Sequence, residues 1–129
     1  MGIFSGKKKS RDVIEKYFKE KNISLEFENG KYSFVLVNQE KGFSLYPYFT
    51  YDDDSHELSF LINIRNASFD YNYKILNEFN LKSKYLKALL KDSIIFIEYN
   101  TKVELDEFRE IMDLLIESVF MNSAGIDSL

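Results

Sequence analysis

The run Leu76-Asn77-Glu78-Phe79-Asn80-Leu81-Lys82-Ser83-Lys84-Tyr85-Leu86-Lys87-Ala88-Leu89-Leu90-Lys91-Asp92-Ser93-Ile94-Ile95-Phe96-Ile97-Glu98-Tyr99-Asn100-Thr101 decides the fold. It reads as the end of a helix, a stop at Asn80, a strand, a tight turn at Lys91-Asp92, a second strand, and the start of a helix. Helix propensity is high between Leu81 and Leu90, yet three features predict a strand there. Leu86, Ala88 and Leu90 alternate with Tyr85, Lys87 and Leu89; Asn80 and Ser83 interrupt a long helix. Residues 93–100 are β-branched and aromatic and need a partner across the turn.

Downstream, Thr101-Lys102-Val103-Glu104 has the pattern of a capping box, with Thr101 as N-cap. The helix it opens is expected to reach about Phe120. Leu105, Phe108, Ile111, Met112, Leu115, Ile116, Val119 and Phe120 cover roughly half its circumference, more than one sheet needs. The excess predicts a further apolar contact, either with another helix or with a second copy. Residues 122–129 read as a mobile tail.

Upstream of the run, a helix is expected over about Asp12–Lys21, with Asp12 and Glu15 as a capping box and Asn22 as its stop. Val13, Ile14, Tyr17 and Phe18 form its apolar face. Four strands follow. Ile23–Glu28 and Lys31–Val37 are joined by Asn29-Gly30, the strongest hairpin signal in the chain. Asn38–Gly42 is a polar turn. In Phe43–Tyr51 the residues Phe43, Leu45, Phe49 and Tyr51 share a face with Pro47, while Tyr46 and Tyr48 share the other. Pro47 cannot donate to a ladder, so that strand is an edge or carries a bulge there. In Glu57–Ile64, Leu58, Phe60, Ile62 and Ile64 oppose Ser59 and Asn63, which predicts an antiparallel sheet with one buried and one wet face. Residues 65–71 cross over to a helix over about Asn72–Phe79.

The reading is therefore one α+β domain over 11–121, between flexible tails at 1–10 (basic) and 122–129. An antiparallel sheet of five or six strands is covered by helices in the order α-β-β-β-β-α-β-β-α. At 129 residues the chain can bury a sizeable core without staples. It has no cysteine, which excludes disulfides, thiol catalysis and thiolate metal sites and fits a reducing, cytoplasmic setting. No apolar run is long enough to span a bilayer. Net charge is −4 but uneven. Residues 1–22 carry seven basic groups against three acids, 74–91 five against one, and 92–129 two against nine. Such asymmetry steers charged partners or lets two copies meet through opposite patches.

The residues at 76–99 resemble the YbjN-like family of bacterial sensory-transduction regulators, whose second half carries a helix, L-N-x-x-N, S-K-aromatic-x-K-A, a strand and a capped helix. That family is similar in fold to type III secretion chaperones. The resemblance implies a helix-covered antiparallel sheet, frequent dimerisation, a binding or regulatory role and no catalytic residues to carry over.

Chemistry-bearing residues are few. His56, the single histidine, sits in the turn Asp52-Asp53-Asp54-Ser55-His56, which lacks the glycine and distal glutamate of a calcium loop and reads as a solvated turn. Asp106, Glu110, Asp113 and Glu117 form one helical stripe. It could hold a divalent ion, dock a basic partner or support carboxylate chemistry, and a solvent-facing stripe explains it as well. The basic stretch Lys82–Lys91, with Tyr85, suits a nucleic-acid platform, but the net acidity of the chain argues against a general nucleic-acid binder.

No cofactor or metal is expected. The sequence points to a non-catalytic protein-binding module, chaperone-like or regulatory, acting as a homodimer with an unidentified protein partner. A small phage or mobile-element inhibitor of a host defence protein is the alternative. Candidate partner-binding residues are Tyr46, Tyr48, Tyr85 and Lys87 on the sheet, and Leu114, Ile116 and Phe120 on the last helix.

Overall fold

A computed structural model describes residues 2–40 and 42–129, without the side chains of 2–9 and 43. The elements run α1 (Gly2–Glu20), β1 (Glu26–Glu28), β2 (Lys31–Ser33), β3 (Leu36–Asn38), β4 (Phe43–Leu45), β5 (Tyr48–Tyr51), β6 (Glu57–Asn66), α2 (Tyr73–Lys82), β7 (Lys87–Lys91), β8 (Ile94–Lys102), α3 (Phe108–Met121) and α4 (Ser123–Ser128). Six strands form an antiparallel sheet in the order β1-β2-β5-β6-β8-β7, and β3 and β4 pair separately.

The buried residues share one parity on every strand. Tyr32, Phe49, Leu58, Phe60, Ile62, Ala88, Ile95 and Ile97 point inward and join Ile14, Tyr17 and Phe18 of α1, Phe79 of α2, Phe108, Met112, Leu115 and Val119 of α3, and Ile126 of α4 in one core. Phe49 lies at its centre, with its ring 5.8 Å from Phe18, 5.0 Å from Tyr32 and 6.0 Å from Phe108.

Asn29 and Gly30, with φ of 53° and 78°, close the β1–β2 hairpin as their sequence predicts. The next hairpin is long and broken. Its lower part is β2–β5 and its upper part β3–β4, joined through a hydrogen bond from Phe34 N–H to Pro47 O at 3.1 Å. Neither expectation at Pro47, an edge strand or a bulge, is what is found: the strand is broken there into β4 and β5. β5 lies inside the sheet, and Pro47 ends its ladder because it has no N–H to give.

Several boundaries differ from those expected. α1 starts at Gly2, so Asp12 is no N-cap, and Glu15 instead accepts from Arg11 Nε at 2.8 Å, one turn away. Asn72 does cap α2, accepting from Lys74 N–H at 3.0 Å. Asn80 is not the stop: α2 runs on to Lys82, and Ser83 ends it. The strand expected from Leu81 thus begins at Lys87. Its turn is centred on Asp92-Ser93, both left-handed at φ 51° and 64°, one residue past Lys91-Asp92.

Thr101 is a strand residue paired with Leu58, and its β-branched side chain suits the ladder better than a helix cap. The reciprocal capping box lies one turn later, between Glu104 and Glu107. At the other end the expected tail is α4: Ile126 and Leu129, three residues apart, are both buried, and Arg65 Nε donates to Leu129 O at 2.9 Å. An apolar pair at helical spacing is enough to seat so short a segment on the core. No described helix is long and apolar enough to cross a membrane.

Candidate functional site

All described helices gather on one side of the sheet, so the outward parity is left open. No described outward residue of β1–β8 is buried. Strand register aligns one row across the whole sheet: Glu26, Ser33, Tyr48, Leu61, Glu98 and Lys87. The next row holds Asn63, Phe96 and Leu89. The broken hairpin extends this face with Val35, Val37 and Tyr46, which are 45%, 52% and 65% exposed. Tyr48, Leu61 and Phe96 lie in the middle of the face among the polar Thr50, Ser59, Asn63, Glu98 and Asn100, and its two edge strands carry opposite charge: Glu26 and Glu28 on β1, Lys87 and Lys91 on β7. Lys31, beside Glu28, lays its ammonium 5.2 Å from the centre of the Tyr48 ring, a cation–π contact.

The two sheet edges differ. At β7 the backbone of Ala88 is already satisfied. Its N–H donates to Asn80 Oδ1 at 2.7 Å, and its carbonyl accepts from Asn80 Nδ2 at 3.0 Å. Lys87 Nζ donates to the carbonyls of Asn80 and Ser83 at 3.0 and 2.8 Å, where the C-terminus of α2 favours a cation. β1 is three residues long and acidic, two ordinary protections of an edge strand.

The structure brings Tyr46 and Tyr48 of the expected binding residues onto the open face, while Lys87 shares their parity but turns its ammonium to the end of α2. Tyr85 is elsewhere: it meets Tyr99, which pairs with Phe60 on the core side, edge-to-face at 6.5 Å. Leu114 and Ile116 are half-buried on α3, and Phe120 is 41% exposed beside an exposed Met121. The helix therefore satisfies most of its own apolar surface, aided by α4. Further exposed apolar side chains lie around α2: Phe69, Tyr73 and Leu81. Sequence reading missed Leu61, Phe96 and Leu89, whose signal is an apolar residue at a position of outward parity.

The acidic stripe does not act as a unit. Asp113 accepts from the Tyr17 hydroxyl at 2.6 Å and pairs with Lys21 at 3.2 Å, while Asp106, Glu110 and Glu117 face solvent. Arg109 binds Glu20 alongside, so this cluster fastens α1 to α3. Among the described residues no group of three or more His, Asp or Glu is placed to hold a metal ion. His56 borders a shallow depression of about 660 Å³ with Val13, Glu104, Leu105 and Asp106. The Tyr51 hydroxyl donates to Val103 O at 2.9 Å and lies 3.1 Å from His56 Nδ1. Its one proton is thereby used, which assigns a proton to Nδ1. That contact holds a left-handed turn residue, φ 62°, in place.

The hydrogen bond from Tyr17, followed by Lys21, keeps the Asp113 carboxylate below its usual range, while burial and Asp113 push the Tyr17 phenol up. A depressed carboxylate adds stability above its unfolded pKa of about 4, and that stability is lost as pH falls through the lower folded value. Tyr17→Phe is expected to cost about 1–2 kcal/mol at pH 7. Because Asp113 is half-exposed, the pH-linked part of that is the smaller share. Urea titrations at pH 7 and at about pH 3 test this: the gap between wild type and variant narrows in acid, and an unchanged gap removes Asp113 from the account.

No family model matches the chain, and no curated protein matches it. Among solved structures, a chain of the HopA1–SchA chaperone–effector complex is similar, with a TM-score of 0.54, 11% identity, and coverage of 83% of this chain and 87% of that one. At that identity the likeness is one of fold. The α+β architecture expected from the sequence, an antiparallel sheet under helices of the secretion-chaperone kind, is the fold this protein has.

Proposed function

We propose that the protein is a non-catalytic protein-binding module, chaperone-like or regulatory, that works as a homodimer. The observation that carries this reading is the open sheet face, on which Tyr48, Leu61, Phe96 and Leu89 run as adjacent apolar side chains from the middle of the sheet to its β7 edge. Adjacent apolar side chains left uncovered on one side of a sheet are a mark of a protein interface. The chaperone-like fold and the YbjN-like motif at residues 76–99 support the same reading. The exposed Phe69, Tyr73 and Leu81 around α2 offer a second protein a separate place to dock.

Affinity capture from the lysate of its own cells tests the reading, comparing wild type with Leu89→Ser and Leu81→Ser. A stoichiometric protein, either this chain or another, is expected on wild type and is reduced by one of the two variants. Capture that neither variant changes, or no stoichiometric protein at all, sinks it.

A further inference from the structure

Resting on that reading, we infer that the docking place on α2 takes an acidic amphipathic helix of a different protein, laid along the row Tyr73-Asn77-Leu81 with its carboxylates around Leu81. At 100° per residue these three side chains fall within an arc of about 80°, centred about 160° from the buried Phe79. They make one i, i+4, i+8 row on the solvent side of α2, and all three are exposed, Leu81 at 86%. Such a row fits the groove between two rows of a second helix, which is how helices ordinarily pack. The row is also held still. The Tyr73 ring stacks on that of Tyr71, 6.2 Å away, and Tyr71 is buried with the Arg65 guanidinium 5.5 Å from its ring centre. At the other end Asn80 ties α2 to Ala88 of β7. A row fixed at both ends loses little freedom when a partner covers it. Phe69, wholly exposed in the segment that enters α2, adds apolar surface at the Tyr73 end.

Charge selects the partner. Residues 79–91 hold Lys82, Lys84, Lys87 and Lys91 and no acid. Lys87 is spent on the carbonyls at the end of α2. Lys82 and Lys84 follow Leu81 directly and are exposed, and no described carboxylate pairs with either. Along the chain the acids nearest to them are Glu78, one turn before Lys82, and Asp92, while Asp70 lies beyond the opposite end of the row. The cationic excess therefore sits at the Leu81 end. A glutamate or aspartate of the partner is attracted there, and a lysine or arginine is repelled.

Fluorescence anisotropy of the full chain with two labelled helical peptides of about 18 residues tests this. Both carry leucines along one face; the other positions hold glutamate in the first and lysine in the second. The glutamate peptide is expected to bind with a Kd of about 100 µM or tighter, and the lysine peptide about 10-fold more weakly or worse. The gap closes as salt is raised. Leu81→Ser, at an exposed position where the fold tolerates it, is expected to weaken the glutamate peptide about 10-fold. Lys82→Glu/Lys84→Glu is expected to reverse the preference, and Leu89→Ser, on the sheet face, to change neither affinity. Equal affinity for the two peptides, or none for either, overturns the acidic partner, as does glutamate-peptide binding that Leu81→Ser leaves unchanged. Binding to vesicles of phosphatidylserine and phosphatidylcholine that Leu81→Ser abolishes, without peptide binding, gives the row to a membrane and overturns it too. None of these failures touches the capture experiment, which asks whether a protein docks at all, whatever its charge.

Discussion

Phe49→Ala is expected to lower stability by about 3–5 kcal/mol, the cost of emptying a fully buried aromatic site. Phe49 is wholly inaccessible and its ring touches four others: Phe18 of α1, Tyr32 and Phe34 of the neighbouring strand and its extension, and Phe108 of α3. These come from three separate elements whose ring geometry depends on Phe49 being there, so the cavity cannot collapse from one side. With a urea slope of about 2 kcal/mol per molar for a chain of this size, the midpoint falls by roughly 2 M. The melting temperature drops by more than about 10 °C. Phe49→Leu refills much of the space and is expected to recover half the loss or more. Tyr46→Ala, on the exposed side of the same hairpin, is expected to change stability by no more than about 0.5 kcal/mol. If Phe49→Ala melts with the wild type, the core is not arranged as described.

Much of this arrangement is legible in the sequence because each part depends on local rules. Asn29-Gly30 can be read because two left-handed residues are what a two-residue hairpin requires. The inward residues of β6 can be read because Leu58, Phe60 and Ile62 alternate without exception. The misread places are those where a distant contact outweighs a local preference. Thr101 followed three residues later by Glu104 has the pattern of a cap, yet the ladder from Glu57 to Asn66 draws β8 out to Lys102 and displaces the helix start. The last eight residues look polar and short, but Ile126 and Leu129 find a groove made by α2, α3 and the sheet, which no local pattern announces. The open face was half legible: Tyr46 and Tyr48 stood out as large residues opposite a buried set. Leu61, Phe96 and Leu89 did not, because an apolar residue inside an apolar strand gives no contrast. It is the cross-strand register that turns them from isolated leucines and phenylalanines into one surface.

That surface also explains why the sheet has one protected edge and one short one. A module that presents an open face must avoid joining other sheets through its rims. At β7 the protection is Asn80, and Asn80→Ala is expected to be the most damaging polar substitution in the molecule. The carboxamide of Asn80 takes the place of a neighbouring strand: its oxygen accepts from Ala88 N–H at 2.7 Å and its nitrogen donates to Ala88 O at 3.0 Å. Alanine removes both partners at once and leaves a part-buried donor and acceptor without replacement. The expected cost is about 2–4 kcal/mol. It also loosens the end of α2 from β7, although the backbone carbonyls of residues 80 and 83 that hold Lys87 are kept.

The second consequence is kinetic: an unpaired β7 edge is a template for another chain, so the variant is expected to aggregate on mild heating where Phe49→Leu refolds. Asn80→Asp separates the two bonds. Its carboxylate still accepts from Ala88 N–H, but it sets an oxygen against Ala88 O at neutral pH. The aspartate is neutral when protonated and can then donate to that carbonyl, so its folded pKa is raised. The variant therefore gains stability relative to wild type as pH falls through that raised value. Chemical denaturation of the three proteins at pH 7 and pH 4, with light scattering during heating, measures both effects. An Asn80→Ala variant that is as stable and as soluble as wild type would show that the β7 edge is protected by something other than this one side chain.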